Sequence, residues 1–454
     1  MRIYKKILFA ILAVATMLTA FDAKSQESLS LDGAIKIALE QSKQLQTAKY
    51  DVRKAEADLD EVFGNALPKV DLSANYTRYL VPMQFYIAGG LFPGTGGGDG
   101  GGQFIEASSD NAVHARVDVS QTIFNSAVFR SISASDNYLD AAKANMNVQV
   151  DEVILGVKNA YYQALVQKES YELVKASQEN ATKNFKDIEV LFEEGLIAEY
   201  DKIRAEVQVE NFKPQLISAE NAYINAKNNL KVLIGLDPDN EVVLTDDLAQ
   251  FENEYDNYQL EKIQDKILLE NPQLNALTIQ KEVNKDFIAV YESEYLPTVS
   301  AFGNYSIQGQ SNTFDFPTAS TSTVGLRFKM NLFSGLQTNA KVEKAELDLL
   351  KTKTQSELLE INLKSQVKNL VNKIQSAEKQ LDANQKNINQ AKRGYDIAKI
   401  RYEEGIGSLL EINDSDLALR TAKTNNLRTV YELLFSYAQL DQLLGNYSNI
   451  YKVK

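Results

Sequence analysis

The chain has 454 residues, a formal net charge of −13 at pH 7, a single histidine, and no cysteine or tryptophan. The lack of cysteine excludes disulfides, thiolate metal sites, a cysteine nucleophile and a lipid-modified N-terminal cysteine. Such an acidic chain is not expected to bind nucleic acid. Because the sequence contains no set of nucleophile, base and orienting residue and no metal-spaced cluster, we expect no enzyme, no catalytic residue, no metal site and no cofactor.

The N-terminus has the features of an export signal. Basic residues precede an apolar run over residues 7–21, and small residues follow at alternate positions near Ser25. This order is typical of a secretory signal peptide. We therefore predict that residues 1–25 are a signal peptide and that the protein is exported. The alternative is a transmembrane anchor, which requires roughly 20 apolar residues and so is longer than this run.

The next part of the chain predicts a helix and then a change of period. An amphipathic helix begins near residue 31 and ends at Leu67-Pro68, and a second copy of it ends at Leu296-Pro297. After each Leu-Pro pair, apolar residues occupy every second position, which is typical of strands with one apolar and one polar face. We predict two strands after each pair. The apolar positions of these four strands are Val70, Leu72, Ala74, Tyr76, Val113, Ala115, Val117, Val119, Val299, Ala301, Gly303, Tyr305, Val324, Leu326, Phe328 and Met330.

The length of these runs favours a membrane barrel. Each run covers about 9–11 residues, which is the length of a tilted strand in a bilayer, and each polar face suits a wet lumen. A soluble half-buried sheet has the same local pattern, but the export signal and the helical remainder favour the barrel. Four strands cannot close a barrel, because open edges in lipid leave unpaired backbone groups. We therefore expect several chains to build it: three copies supply twelve strands, whereas two supply eight and leave too narrow a lumen for large cargo.

A glycine-rich connection over residues 89–102 joins the first two strands. It lacks the Gly-Lys-Ser/Thr sequence of a phosphate loop, so we predict a mobile outer loop. The whole connection between these two strands is about 20 residues longer than its counterpart in the second copy, residues 306–322.

Two long helices are predicted by the spacing of apolar residues. Apolar and small residues recur at spacings of four and three over residues 363–402 and, in the same register, over residues 153–192. A mean spacing of about 3.5 residues indicates a coiled-coil seam. We predict helices over residues 125–194 and 334–404, each roughly 100 Å long.

Each long helix ends in the sequence Glu-Glu-Gly, at Gly195 and Gly405, where glycine supplies the left-handed stop. Return helices are predicted over residues 199–234 and 409–444. The chain therefore reads as a duplication. Its predicted divisions are the first structural repeat at 26–236, an acidic segment between the repeats at 237–258, the second repeat at 259–446 and a C-terminal tail at 447–454. Within the acidic segment, residues 241–244 are expected to form a short strand.

This duplicated order of elements resembles the TolC-type outer-membrane efflux protein family, and the resemblance covers nearly the whole mature chain. It implies a mixed α/β membrane protein of a Gram-negative cell. In such a homotrimer, a 12-stranded barrel among outer-membrane lipids continues into an α-helical barrel of long coiled-coil helices in the periplasm. It also implies a passive exit duct for efflux or type I secretion, opened by a periplasmic adaptor and an inner-membrane transporter of the RND or ABC type.

The alternative function is a non-conducting coiled-coil protein that bridges the envelope layers. Such a strut needs neither lipid-facing strands nor a charged constriction. The family resemblance implies that constriction, because a ring of acidic residues narrows the entrance in such channels. The matching residues here are Glu411 and Asp414, with Asp201 in the first copy. Ordinary solvated charges near a helix N-terminus are the alternative interpretation of these acids.

The resemblance also implies a gate at the turns containing Gly195 and Gly405. Tyr402 matches a tyrosine that helps to keep such channels closed, although it also continues the apolar seam. The family usually has a basic residue two positions after the second turn glycine, whereas this chain has Gly407.

Overall fold

The computed structural model describes residues 27–87, 103–251 and 262–451. The predicted signal peptide, the whole glycine-rich connection of residues 89–102, part of the segment between the repeats and the end of the C-terminal tail lie outside these described residues. The strands are β1 (Glu27–Leu29), β2 (Lys69–Arg78), β3 (Gln84–Ile87), β4 (Gln103–Glu106), β5 (Asn111–Asn125), β6 (Val242–Leu244), β7 (Thr298–Ser311) and β8 (Thr318–Lys329). The α-helices are α1 (Leu31–Gln41), α2 (Lys43–Gly64), α3 (Ser126–Glu193), α4 (Glu199–Ile234), α5 (Ile263–Glu270), α6 (Pro272–Glu292), α7 (Gln337–Glu403), α8 (Leu409–Leu443) and α9 (Asn446–Ile450).

The described residues form two compact units. The helical unit comprises those within Met1–Val52, Lys143–Leu277 and Gln355–Lys454, and the sheet unit comprises those within Arg53–Ala142 and Thr278–Thr354. The two predicted long helices are confirmed as α3 and α7, and the return helices as α4 and α8. Within the described ranges, no helix is both long enough and apolar enough to cross a membrane.

The sheet unit contains the four predicted strands as one antiparallel sheet in the order β2-β5-β7-β8. The register places the predicted apolar positions on one face, since Leu72 lies opposite Val117 and Ala301 opposite Leu326. The other face is polar, with Asp71 opposite Asp118. The prediction of two-faced strands is therefore confirmed.

The apolar face of this sheet is uncovered within a single chain. Leu72 is 76% exposed, Val324 is 90% exposed and Leu326 is 73% exposed. The two outer strands, β2 and β8, each pair on one side only. The sheet is thus incomplete on both edges and on one face.

The connections between strands differ from the sequence prediction. The described parts flanking the glycine-rich segment form a small hairpin of β3 and β4, in which Phe85 lies opposite Ile105 and Tyr86 opposite Phe104. In the second copy, β7 and β8 extend into the predicted connection, because Gln308 still pairs across to β8. The prediction of a loop over residues 306–322 is therefore wrong for most of its length.

The core of the helical unit contains part of the predicted coiled-coil seam. Three seam positions of α3 and five of α7 are buried in one hydrophobic cluster, whereas Leu381 and Tyr395 of the α7 seam are only partly buried. These buried seam residues are Val153, Val157, Ala164, Leu363, Val367, Leu370, Ile374 and Ala377. The strands β1 and β6 form a two-stranded parallel pair whose Leu29 and Leu244 belong to the same core. The short strand near residue 242 was predicted, whereas β1 was not.

The helix before each Leu-Pro pair is divided in two, although the sequence predicted continuous helices. Ser42 takes a non-helical backbone conformation, with φ −55° and ψ 126°, between α1 and α2, and its N–H donates to the Ala38 carbonyl at 2.9 Å. Asn271 also leaves the helical conformation between α5 and α6, and its N–H donates to the Ile267 carbonyl. Pro272 disfavours a helical conformation of this preceding residue. The Asn271 side-chain oxygen accepts from the Leu274 N–H at 3.1 Å and caps α6.

Candidate functional site

The two turns that join the long helices to their return helices have the same backbone geometry. The first turn comprises residues 194–198 and the second comprises residues 404–408. Gly195 has φ +74° and Gly405 has φ +77°. In the second turn the Gly405 N–H donates to the Tyr402 carbonyl and the Ile406 N–H to the Arg401 carbonyl, each at 2.9 Å. The first turn repeats both bonds, so both helices end in a Schellman motif.

The structure brings the two turns together around one apolar cluster. Its buried members are Ile188 of α3, Ala205 of α4 and Leu409 of α8. Ile197 from the first turn and Tyr402 from the end of α7 pack against them. Tyr402 therefore has a packing role in the structure.

Tyr402 also lies close to an acidic residue predicted for the site. Partial burial raises the pKa of the Tyr402 phenol, and the negative charges of Asp201 and Asp187 raise it further. The phenol thus stays protonated and can donate a hydrogen bond. Tyr402 and Asp201, predicted as separate features, are neighbours across the two repeats.

The acidic pair Glu411 and Asp414 lies in the first turns of α8. Ser408 caps this helix, because its hydroxyl accepts from the Glu411 N–H at 3.3 Å. The Glu411 carboxylate lies 3.5 Å from Arg401 Nε, with both side chains about half exposed. Asp414 is exposed. The ion pair to Arg401 was missed from the sequence, because it spans a turn.

Gly407 has a structural reason to be glycine. Its N–H donates to the Arg401 carbonyl at 2.9 Å, and a Cβ at this position would lie 2.9 Å from the Tyr402 nitrogen. The backbone thus leaves no room for the basic side chain expected from the family. Arg401 supplies a positive group at the same turn instead, since its Nη2 donates to the Ile406 carbonyl at 3.2 Å.

A half-buried charged layer lies further along α8, and sequence reasoning missed it. Asp416 accepts from Arg420 Nε at 2.9 Å, and the guanidinium lies 4.9 Å from the centre of the buried Phe212 ring on α4. Burial raises the pKa of Asp416, although the Arg420 charge and a hydrogen bond from Ser177 of α3 oppose this shift. The spacing of four residues between Asp416 and Arg420 indicates an ion pair on one helix face. The partial burial of this pair was not predictable, because it depends on helices of the other repeat.

The titratable groups of the described ranges do not form a metal centre. In these ranges, no group of three or more histidine, cysteine, aspartate or glutamate side chains could hold a metal ion.

Comparison with known proteins gives the family. The family model described as outer membrane efflux protein matches residues 34–236 and 263–446. The chain belongs to the outer membrane efflux protein family. As a member of this family it is an outer-membrane channel for efflux or secretion, and it is not an enzyme. The alternative of a non-conducting strut has no support from these comparisons.

Relatives within this family are distant in sequence but similar in length and fold. The outer membrane protein TolC of Vibrio cholerae is 22% identical over 338 residues, which are 74% of this chain and 77% of the relative. TolC of Escherichia coli is 20% identical, over 88% of this chain and 80% of the relative. The crystal structure of the Campylobacter jejuni CmeC outer membrane channel superposes with a TM-score of 0.73 at 19% identity, over 91% of this chain and 85% of that one.

Proposed function

We propose that three copies of this efflux protein form one passive duct across the outer membrane and the periplasm. The observation that carries this proposal is the incomplete sheet, whose apolar face and two edges are uncovered in one chain. In lipid, each unpaired backbone group at such an edge costs several kcal/mol. Pairing β8 of one copy with β2 of the next removes every edge when the ring closes, and three copies give a 12-stranded barrel.

The two faces of the sheet give the barrel its orientation. The face with Leu72 and Leu326 lies against outer-membrane lipid, and the face with Asp71 and Asp118 lines the lumen. A lipid-facing band of apolar side chains and a polar interior are the properties of transmembrane barrels. The duplication supports the same assembly, since each repeat (residues 26–236 and 259–446) supplies two strands and one helical hairpin.

We propose that the two turns form the entrance at the periplasmic end of the helices. Glu411, Asp414 and Asp201 line it as a ring of carboxylates that favours cations and binds multivalent ones. Tyr402 and the turn glycines Gly195 and Gly405 hold the entrance closed. The ion pair between Arg401 and Glu411 links the two helices of the second hairpin across its turn.

The duct requires partners that supply energy and select cargo. We propose a periplasmic adaptor that contacts the helical unit and an inner-membrane transporter of the RND or ABC type. The exposed surface of the helices supports a docking role for the adaptor. The cargo is then set mainly by the transporter.

The experiment is a single-channel recording of the purified oligomer in a planar bilayer, with a trivalent cation such as hexaamminecobalt added at the helical end. The wild type should conduct and be blocked. Glu411→Gln combined with Asp414→Asn should still conduct, with block weakened at least tenfold. The control is Asp382→Asn, which removes an exposed carboxylate from α7. Block of the double variant as strong as block of Asp382→Asn would remove Glu411 and Asp414 from the entrance. An oligomer that never conducts, even with Tyr402→Ala to loosen the entrance, would support a strut.

A further inference from the structure

The polar face of the sheet separates its charges into rows. Residues paired across the four strands form one row, and successive rows on one face are about 7 Å apart. One row contains Lys69, Ser120, Phe302 and Gly325. The two rows closer to the helix ends of the strands contain Arg327 and Lys329. Across these three rows, the polar-face residues that the structure describes include three basic side chains and no carboxylate.

The acids of this face lie in the next row outward. Asp71 and Asp118 face each other there, beside Asn304 of β7. Arg116 from the following row binds Asp118, with Nη2 2.6 Å from Oδ1, and so offsets one of the two negative charges. The three basic rows therefore keep a net positive field, because the acidic row next to them is partly neutralised.

Arg327 is held in place by an aromatic ring. Its guanidinium carbon lies 5.1 Å from the centre of the Phe302 ring, a distance suited to a cation–π contact. The Phe302 ring in turn lies over Gly325, where an added Cβ would be 2.8 Å from the ring atom Cζ. Gly325 thus makes room for the ring, and the ring fixes the arginine on the polar face.

The basic residues lie on the two edge strands. Lys69 is on β2, where its ammonium group donates to the Asn65 side chain at 3.3 Å, and Arg327 and Lys329 are on β8. In the proposed barrel, β8 of one copy pairs with β2 of the next. Positive charges from two copies then meet at every subunit seam, and like charges on adjacent strands repel. A multivalent anion bound between them would remove this repulsion.

We propose that Lys69, Arg327 and Lys329 form an anion-binding collar at the subunit seams of the barrel lumen, and that it accepts small multivalent anions. Arginine and lysine rings select anions in pores, and arginine binds phosphate or carboxylate oxygens through two parallel hydrogen bonds. This inference rests on the proposed trimeric duct. It adds a second charge-selective zone, of opposite sign to the acidic entrance.

The test uses the purified oligomer in detergent and inositol hexakisphosphate as the probe. A ligand that binds only the assembled form raises the temperature at which the oligomer dissociates. The wild type should show this rise at low salt, and the half-saturating probe concentration should increase at least tenfold in Arg327→Gln combined with Lys329→Gln. Arg78→Gln is the matched control, because Arg78 is a β2 arginine on the opposite face of the sheet. It should change the half-saturating concentration less than twofold.

A second variant tests whether the positive charge or the guanidinium group of Arg327 is needed for binding. Arg327→Lys keeps the charge but loses the planar contact with Phe302, so it should bind within about threefold of the wild type. Equal probe responses in the wild type, the double variant and Arg78→Gln would overturn the collar. An oligomer that conducts but does not respond to the probe contradicts the collar alone. An oligomer that responds but never conducts contradicts the duct alone.

Discussion

Two sets of apolar side chains follow a regular period in this chain, and they end in opposite surroundings. In the helical unit, the seam residues Val157 and Ile374 are fully buried by other parts of the same chain. In the sheet unit, Leu72, Val324 and Leu326 are equally regular but exposed. The period therefore determines the local conformation in both units. The period does not determine whether the apolar side chains are covered. Within the described residues, the chain buries the helical seam residues but leaves the apolar face of the sheet exposed.

The largest effect is expected in the helical seam. Ile374→Ala leaves a cavity in a core that the chain closes by itself, so the helical unit should lose about 2–5 kcal/mol. Leu326→Ala should cost far less within one chain, because Leu326 is already exposed. Denaturant unfolding in detergent, followed by circular dichroism at the helix band, measures both. Equal losses would contradict the distinction between the covered and uncovered faces.

A charge on the apolar face of the sheet should act only through the membrane. Leu326→Asp and Val117→Asp should impair assembly in the outer membrane by about 2 kcal/mol or more near the bilayer midplane. The control is Thr321→Asp, which lies on β8 but faces the polar side. The yield of heat-resistant oligomer in membranes gives the comparison. Normal assembly of both apolar-face variants would mean that the strand faces are reversed.

Alanine substitutions in the two turns test whether close backbone contacts stabilise the second turn more than the first. Gly407→Ala forces a Cβ against the backbone of Arg401 and Tyr402, so it should cost on the order of 1–3 kcal/mol, as overpacking does elsewhere. Gly195→Ala meets no atoms and should cost only the penalty of its left-handed φ. Hydrogen exchange measures the effect: we expect the second turn to exchange faster in Gly407→Ala than the first turn does in Gly195→Ala. A Gly407→Ala turn that exchanges like the wild type would contradict it.

The helix caps should give the smallest difference. Ser408→Ala removes the side-chain cap of α8 and should cost about 1 kcal/mol, whereas Ala198→Ser offers α4 the cap it lacks and should stabilise it. Hydrogen exchange of the first helical amides measures each helix separately. Opposite signs for the two substitutions are expected, and a shared sign would show that the cap does not distinguish the repeats.

The strands and long helices were predictable because their signals are local and repeated. The pair of β1 and β6 was only half predictable, since three-residue strands have no measurable period and the partners are far apart in sequence. The break at Asn271 was readable from the following proline, and it was missed because the apolar period continues across it.

The candidate site was predictable only as positions, not as contacts. Glu411 and Asp201 follow from the resemblance of the turns to the family. The ion pair of Glu411 with Arg401 depends on how the turn closes, and the effect of the Asp201 charge on Tyr402 depends on how the two repeats pack. Such contacts require tertiary geometry, which a single sequence does not contain.

The central claim, that three copies complete the sheet, can be tested by cross-linking its two edges. The chain has no native cysteine. Ser73→Cys on β2 can therefore be combined in turn with Ala319→Cys, Thr321→Cys or Thr323→Cys on β8, all on the polar face. Within one chain these edges are three strand spacings apart, about 14 Å, which is too far for a disulfide. We predict that oxidation in membranes gives covalent dimers and trimers and nothing larger for at least one pair. A ladder that stops at dimers or continues past trimers, or no cross-link from any pair, would contradict the account.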